Sequence, residues 1–357
     1  MRHLPNLRLG EVRLMTTLTT AGRRTLAAAS QFTELGARGE VRFLGIQPRS
    51  VLNAPSSTGM AFWSLNPYVG CEFGCAYCYA RRTHRWTVEK AANTPGACAA
   101  VREAATLPSA HAFERRILVK ENAEALLRRA LPAGRAEALP IVIGSATDPY
   151  QPAERRFRLT RSVLEVFRAH EGYKLTLITK SALVARDASL LAEIGRRHDV
   201  SVYVSLASLD GALLRCLEPR TPAPHARLRA MRQLADAGVR VGVLIAPVLP
   251  GLTDSRGALR ALLAAARDAG ARMAGGGPLR MGPATRHVLL PWLDEHRPAL
   301  ARRYRRHFAN RQGVEPSYAA ALAERMATLQ AELGYDVKDG MRRERPTRAG
   351  AQTELFA

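Results

Sequence analysis

From about residue 61 to 285 the chain alternates short apolar, β-branched runs with stretches of helical period. No other property narrows the fold so far, because strands separated by amphipathic crossovers assemble into a parallel sheet. The candidate strands span residues 62–69, 140–147, 173–179, 200–206, 239–247 and 272–281. Between them, residues 113–131, 160–169, 187–197, 226–237 and 257–269 carry apolar side chains three and four apart, interrupted by Arg and Glu, as outer helices do. Asp187 and Asp254 stand where they would cap two of these helices. Six strands with five helical layers predict an α/β fold, a partial (β/α)6 barrel, with its chemistry at the C-terminal strand ends.

The flanks are different in kind. Residues 1–60 form a basic, poorly periodic N-terminal segment, and 61–285 the barrel core. Within the core, 91–112 is an Ala-, Pro- and Gly-bearing run that reads as a poorly ordered insertion. Residues 286–335 read as a C-terminal extension of two helices, the first strongly basic through Arg302, Arg303, Arg305 and Arg306, and 336–357 as a flexible tail. At 357 residues and 47% hydrophobic, the chain has enough apolar mass for a substantial core. No window approaches the ~20 consecutive apolar residues of a membrane helix, and the N-terminus interleaves charge with apolar residues unlike a secretory signal. A cytoplasmic protein without a membrane partner is expected, and five cysteines, an odd count, argue against a disulfide framework.

The cationic side chains number 53 against 31 acidic ones, a net +22. Only five of the 53 are lysine, so the arginine excess fits the codon bias of a GC-rich gene as well as selection for a partner. Such a charge attracts phosphate backbones in either case.

Three of the five cysteines fall within eight residues, Cys71-Glu-Phe-Gly-Cys75-Ala-Tyr-Cys78, directly after the first candidate strand. Thiolates so close in sequence converge on one loop and one soft-metal centre. Iron–sulfur cubanes normally take four cysteines, so three local ligands leave one iron open. A structural zinc site completed by His84 or Cys98 is the alternative, although zinc sites more often pair two C-x2-C knuckles and the second is missing. Cys98, in the insertion, and Cys216, in a helical context, read as ordinary thiols.

The C-x3-C-x2-C spacing at the end of a first barrel strand, with Tyr77 before the last cysteine, resembles the radical S-adenosylmethionine (SAM) superfamily. Within it, Trp63-Ser-Leu-Asn-Pro-Tyr68, Tyr79-Ala-Arg81, Thr147-Asp-Pro-Tyr-Gln-Pro152, Ile178-Thr-Lys-Ser181, Val204-Ser205, Glu218-Pro219 and Ala246-Pro-Val-Leu-Pro250 are similar to the branch related to spore photoproduct lyase, which reverses a DNA thymine lesion. The resemblance implies a [4Fe–4S] cluster on Cys71, Cys75 and Cys78, SAM on its open iron, an electron donor, and reductive cleavage to a 5′-deoxyadenosyl radical. It implies a SAM site drawn from Tyr77, Thr147, Asp148, Lys180, Ser205, Ala246 and Pro247, with Glu218 and Arg220 as part of the substrate or SAM wall. Each has a plainer reading: Asp148 as a turn former before Pro149, Lys180 as a solvated lysine, Ser205 as a structural serine.

One position departs from the branch. Where its members carry a cysteine that returns hydrogen to the product radical, this chain reads Ser145-Ala146-Thr147, and a methyl group donates no hydrogen. Tyr150 or another nearby donor would have to substitute. The chain ends Gln352-Thr-Glu-Leu-Phe356-Ala357, which resembles the peptide by which bacterial repair proteins dock on the replication sliding clamp, with Leu355 and Phe356 as anchors and Gln352 as the polar contact. With the charge, it tilts the expected substrate toward DNA, as a lesion or modified base. A peptide, protein or small-metabolite substrate, or a non-catalytic metal-bearing module that binds nucleic acid or the clamp, stays open.

Overall fold

The computed structural model describes residues 32–93, 99–131 and 139–336. Residues 1–31, Cys98 and the C-terminal tail with Gln352, Leu355 and Phe356 lie outside the described residues. Eleven strands are present among them: β1 (Thr33–Arg38), β2 (Val41–Ile46), β3 (Leu52–Asn53), β4 (Trp63–Leu65), β5 (Tyr68–Val69), β6 (Arg116–Lys120), β7 (Ile141–Ile143), β8 (Lys174–Thr179), β9 (Asp199–Ser205), β10 (Arg240–Val248) and β11 (Met273–Pro278). They form two sheets. The larger has the order β11-β10-β9-β8-β7-β4-β3. Its six strands from β4 to β11 are parallel and run in chain order, which is the expected partial (β/α)6 barrel, and β3 closes its edge antiparallel.

Side chains alternate across this sheet, as a strand's period of two requires. Leu175, Leu177, Val202, Val204, Val241, Val243 and Ile245 face the helices and join the main core. On the opposite, concave face Ile178, Tyr203, Leu244, Ala246 and Met273 form a separate small cluster. Gly242 belongs to that face because of the Tyr203 ring: a Cβ there would lie 2.6 Å from Tyr203 Cε1.

The second sheet, β1-β2-β6-β5, corrects one expectation. In the basic N-terminal segment β1 and β2 form a hairpin that buries Phe43, Leu44 and Ile46. The helix expected over 113–131 is interrupted by β6, which pairs parallel with β2 and antiparallel with β5. Its Ile117 and Val119 pack with Phe43 and Tyr68, while Leu118 packs with Leu44 and Val88. A strand buried on both faces is a continuous apolar run, which spacing alone does not separate from a buried helix turn.

The helices used below are α1 (Arg81–Ala92), α2 (Ala99–Thr106), α3 (Ser109–Arg115), α4 (Ala123–Ala130), α5 (Leu159–Phe167), α6 (Ala188–Ile194), α7 (Gly211–Leu217), α8 (Pro224–Asp236), α9 (Arg256–Asp268), α10 (Pro283–His296), α11 (Pro298–His307) and α12 (Pro316–Glu332). The supposed insertion, 91–112, therefore contains α2 and the first part of α3, with Val101, Ala104, Ala110 and Ala112 buried. The C-terminal extension has three helices rather than two, with Pro298 and Pro316 each opening one. Neither aspartate caps as expected. Asp187 is buried and accepts from Tyr150, Arg161 and Arg186, and Ser255, not Asp254, caps α9 by accepting from Ala258 N. No helix among the described residues is long and apolar enough to cross a membrane.

Gly242→Ala tests the concave face. With Tyr203 buried and unable to move aside, overpacking is expected to cost about 1–3 kcal/mol, read as a lower urea midpoint with unchanged slope.

Candidate active site

The loop from Gly70 to Cys78 follows β5 at the C-terminal end of the first parallel strand. Gly70 has φ +89°, and a Cβ there would lie 2.7 Å from the Phe113 carbonyl, so the chain enters the loop through a position only glycine fits. Cys71 N donates to that same carbonyl at 2.8 Å, and Ala76 N to Leu217 O at 2.8 Å. Five further backbone groups of the loop, Gly70 O, Glu72 N, Glu72 O, Cys75 O and Cys78 O, are held by side chains.

Two of those side chains come from the segment after β7. Thr147 Oγ1 donates to Gly70 O, and Gln151 Nε2 donates to both Gly70 O (3.2 Å) and Thr147 Oγ1 (3.1 Å). Gln151 Oε1 accepts from Glu72 N at 3.0 Å. The buried Glu72 carboxylate reaches back to accept from Ala153 N at 2.6 Å and from Arg38 of the hairpin. Glu154, also buried, accepts from Tyr68 Oη at 2.6 Å, fixing the strand before the loop. On the far side, Arg81 donates to Cys75 O at 2.9 Å, Arg220 Nε to Glu72 O, and Thr285 Oγ1 to Cys78 O at 3.0 Å.

Asp148 faces a different way. Its Oδ1 accepts from Thr179 Oγ1 (2.6 Å) and Tyr150 N (2.9 Å), and Oδ2 from Lys180 N (2.7 Å). It therefore ties the end of β7 to the end of β8. Burial pushes its carboxyl above the usual range, and these donors oppose the shift.

Beside the cysteines lies a buried charge cluster. Glu218 and Arg227, both fully buried, form an ion pair, and Tyr77 Oη donates to the same carboxylate. Lys180 Nζ is 3.6 Å from Glu218 Oε1 and 5.4 Å from the centre of the Tyr77 ring, with 15% of the side chain exposed. Burial lowers the Lys180 pKa, and Cys75 is the leading opposing influence. Arg227 also donates to Ser205 O at 3.0 Å, locking the end of β9 to α8. Ala246 and Pro247, joined by a cis peptide bond, are partly exposed near the end of β10. Lys180 thus stands with Cys75 and Tyr77, while the side-chain oxygens of Thr147 and Asp148 are taken by backbone groups and by Gln151 and Thr179.

Of the expected hydrogen donors, Tyr150 is fully buried with its hydroxyl on Asp187 Oδ2 at 3.0 Å. Tyr79 is the hydroxyl beside Ala146: it donates to Ser145 O and is 41% exposed. Ser64, Asn66 and Ser145 form a buried hydroxyl and amide network beneath, with Asn66 Oδ1 accepting from Ala146 N at 2.9 Å. The roles of Glu72, Gln151, Glu154 and Arg227 were missed in the sequence. Only Gln151 and Glu154 carry a local signal there, as polar residues following the Thr147-Asp148-Pro149 turn.

The donor set fits a cluster. Cys71, Cys75 and Cys78 are all free thiols, and burial pushes each above its ordinary pKa, so as thiolates they require a cationic centre. Among the described residues no three His, Cys, Asp or Glu side chains converge as ligands of a single ion. A cubane asks for something else, because each thiolate binds its own corner iron. His84, the zinc alternative, donates from Nε2 to Arg116 O (2.7 Å) and packs on Phe113.

A family model described as the radical SAM superfamily matches residues 65–263. An uncharacterized protein of Mycobacterium tuberculosis is 36% identical over 82% of this chain and 81% of its own length. An uncharacterized protein of Methanocaldococcus jannaschii is 26% identical over 60% of this chain and 71% of its own. Among solved structures, a cysteine-to-serine variant of spore photoproduct lyase has a TM-score of 0.59 at 17% identity, covering 92% of this chain and 93% of the other. Spore photoproduct lyase complexed with dinucleoside spore photoproduct has a TM-score of 0.57 at 17% identity, covering 82% and 80%. The fold is shared with that enzyme.

His84 supplies a pH test. Full burial lowers its pKa from 6.5 to about 4, so the unfolded chain binds the proton more readily between those values. Stability present above pH 6.5 is expected to fall by up to about 3 kcal/mol as pH drops to 4. His84→Gln should flatten that part of the profile in urea titrations, and an unchanged profile would contradict the assignment.

Proposed function

The chain belongs to the radical SAM superfamily, and we propose that it carries a [4Fe–4S] cluster on Cys71, Cys75 and Cys78 and acts on DNA. The observation that carries this is the immobilised loop: three thiols, Cys71 and Cys75 buried and Cys78 half-buried, whose backbone is pinned on both sides, with one lysine next to them. When bound, the cluster supplies the electron that splits SAM into methionine and a 5′-deoxyadenosyl radical.

The chain's own residues then divide into two groups. Thr147, Gln151, Glu72 and Arg81 hold the loop, and Asp148 sets the end of β8 so that Lys180 leaves it toward the cysteines. Lys180, partly exposed and held over Tyr77, suits the SAM carboxylate. Ser205, Ala246 and Pro247 offer a polar and a narrow apolar edge to the nucleoside. Tyr77 donates to Glu218, the carboxylate that Lys180 also faces.

DNA is supported by the net +22 and by the fold shared with an enzyme solved with a dinucleoside photoproduct. Ala146 separates the two reactions. Without a thiol there, product hydrogen must come from elsewhere, and Tyr79 is the hydroxyl beside that position. A substrate that is not nucleic acid would keep the radical chemistry but lose any effect of DNA on it.

Anaerobic reconstitution should load about four irons and four sulfides per chain and yield 5′-deoxyadenosine from SAM under reduction. Cys75→Ala should abolish both, and duplex DNA should change the product profile. Stoichiometric zinc without sulfide would overturn the proposal.

A further inference from the structure

The basic helix α11 has no part in the chemistry just described, yet it is fastened to the rim of the same barrel. Tyr304 Oη donates to Pro250 O at 2.8 Å, just past the end of β10. Met281 N, just past β11, donates to Gln312 O at 2.7 Å. Arg286 of α10 donates to Phe308 O and Ala309 O, and one residue earlier Thr285 holds Cys78 O. The helix pair α10–α11 is therefore tied to two strand-end loops and to the cysteine loop at once.

Its outward face is cationic and unsatisfied. Residues 297–313 contain six arginines and no acidic residue. Asp294 is occupied by a two-point contact with Arg305, and Glu315 by Arg311 with His307 at 3.9 Å. Arg302, Arg303 and Arg306 are exposed and have no acidic partner among the described residues. Like charges so close repel one another, so the arrangement costs stability unless an anion joins it.

The same helix has no apolar stripe left for a bilayer. Ala301, Tyr304 and Phe308 are buried against the barrel and Leu300 is half-buried. Nor does it offer a stacking platform for unpaired bases, since the exposed large apolar side chains among the described residues are Tyr79 and Leu139. What remains is charge alone, which suits a phosphate backbone met in water.

We infer that Arg302, Arg303 and Arg306 form a docking surface for the backbone of duplex DNA, seating the duplex across the barrel mouth. The inference rests on the proposed nucleic-acid substrate and adds where that substrate is held. Contacts of this kind carry no sequence information, so base selection is left to the mouth of the barrel.

The test uses the full chain and a fluorescent duplex of about 20 base pairs, titrated across a salt series and read by anisotropy. Arg302→Gln/Arg303→Gln/Arg306→Gln is compared with Arg196→Gln/Arg197→Gln/Arg272→Gln, which removes equal charge near the starts of β9 and β11, at the opposite end of the barrel. The rim variant should bind about tenfold or more weakly and lose about 2–3 from the log–log salt slope, at about 0.9 per phosphate contact. The opposite-end variant should stay within about twofold. Equal weakening by both, weakening by neither, or equal capture by phosphatidylserine vesicles would overturn the surface. SAM cleavage without DNA separates the two claims. A wild type that cleaves SAM yet binds duplex without salt dependence loses the surface and keeps the radical chemistry. One that cleaves no SAM while the rim variant still weakens binding keeps the surface and loses the chemistry.

Discussion

The hydrogen bonds from Gln151 and Thr147 to the backbone of the cysteine loop are what the rest of the site depends on. A largely buried loop bearing three thiols has few backbone partners of its own, and each buried N–H or C=O left unpaired costs about 1–3 kcal/mol. Here the segment after β7 supplies those partners to Gly70 O and Glu72 N, while Glu72 reaches back to Ala153 N. The exchange is reciprocal, so neither loop can shift alone. Arg38 and Tyr68, the latter through Glu154, extend the clamp into the N-terminal sheet. That ties β1 and β5, which lie outside the parallel sheet, to the cysteine loop.

Electrostatics follows from the same geometry. Glu218 is buried with Arg227, Tyr77, Thr221 and Lys180 around it, so its charge is balanced within the fold rather than by solvent. Breaking such a pair from one side is costly because an uncompensated charge remains. Lys180 is the cation of this group nearest the thiols that keeps some exposure, and Asp148 determines where it leaves β8 through a bond to its backbone. Asp148 forms the turn that its place before Pro149 suggested, accepting from Tyr150 N at 2.9 Å.

The parallel strand order, the barrel and the cysteine loop were legible in the sequence because each has a strong local signature: period, length, or thiol spacing. What was not legible depends on partners distant in the chain. β6 reads as helix because Ile117, Leu118 and Val119 are buried on both faces, a fact that only the pairing with β2 and β5 reveals. Asp187 resembles a cap until the Tyr150 hydroxyl and two arginines are folded against it. Gln151 was visible as part of a motif, but its work is on a carbonyl 81 residues earlier. The tail with its clamp-like ending stands apart from all of this, outside the described residues.

The shared fold with spore photoproduct lyase and the absent thiol at Ala146 point in different directions, toward a common radical generator serving a different finish. The generator is the central claim, and Mössbauer spectroscopy of the ⁵⁷Fe-reconstituted full chain tests it most directly. Three thiolates on four irons predict that adding SAM shifts the signal of one iron and leaves the other three in place. Four irons that respond alike, or none that respond, would contradict a SAM-binding site on the loop held by Gln151 and Thr147.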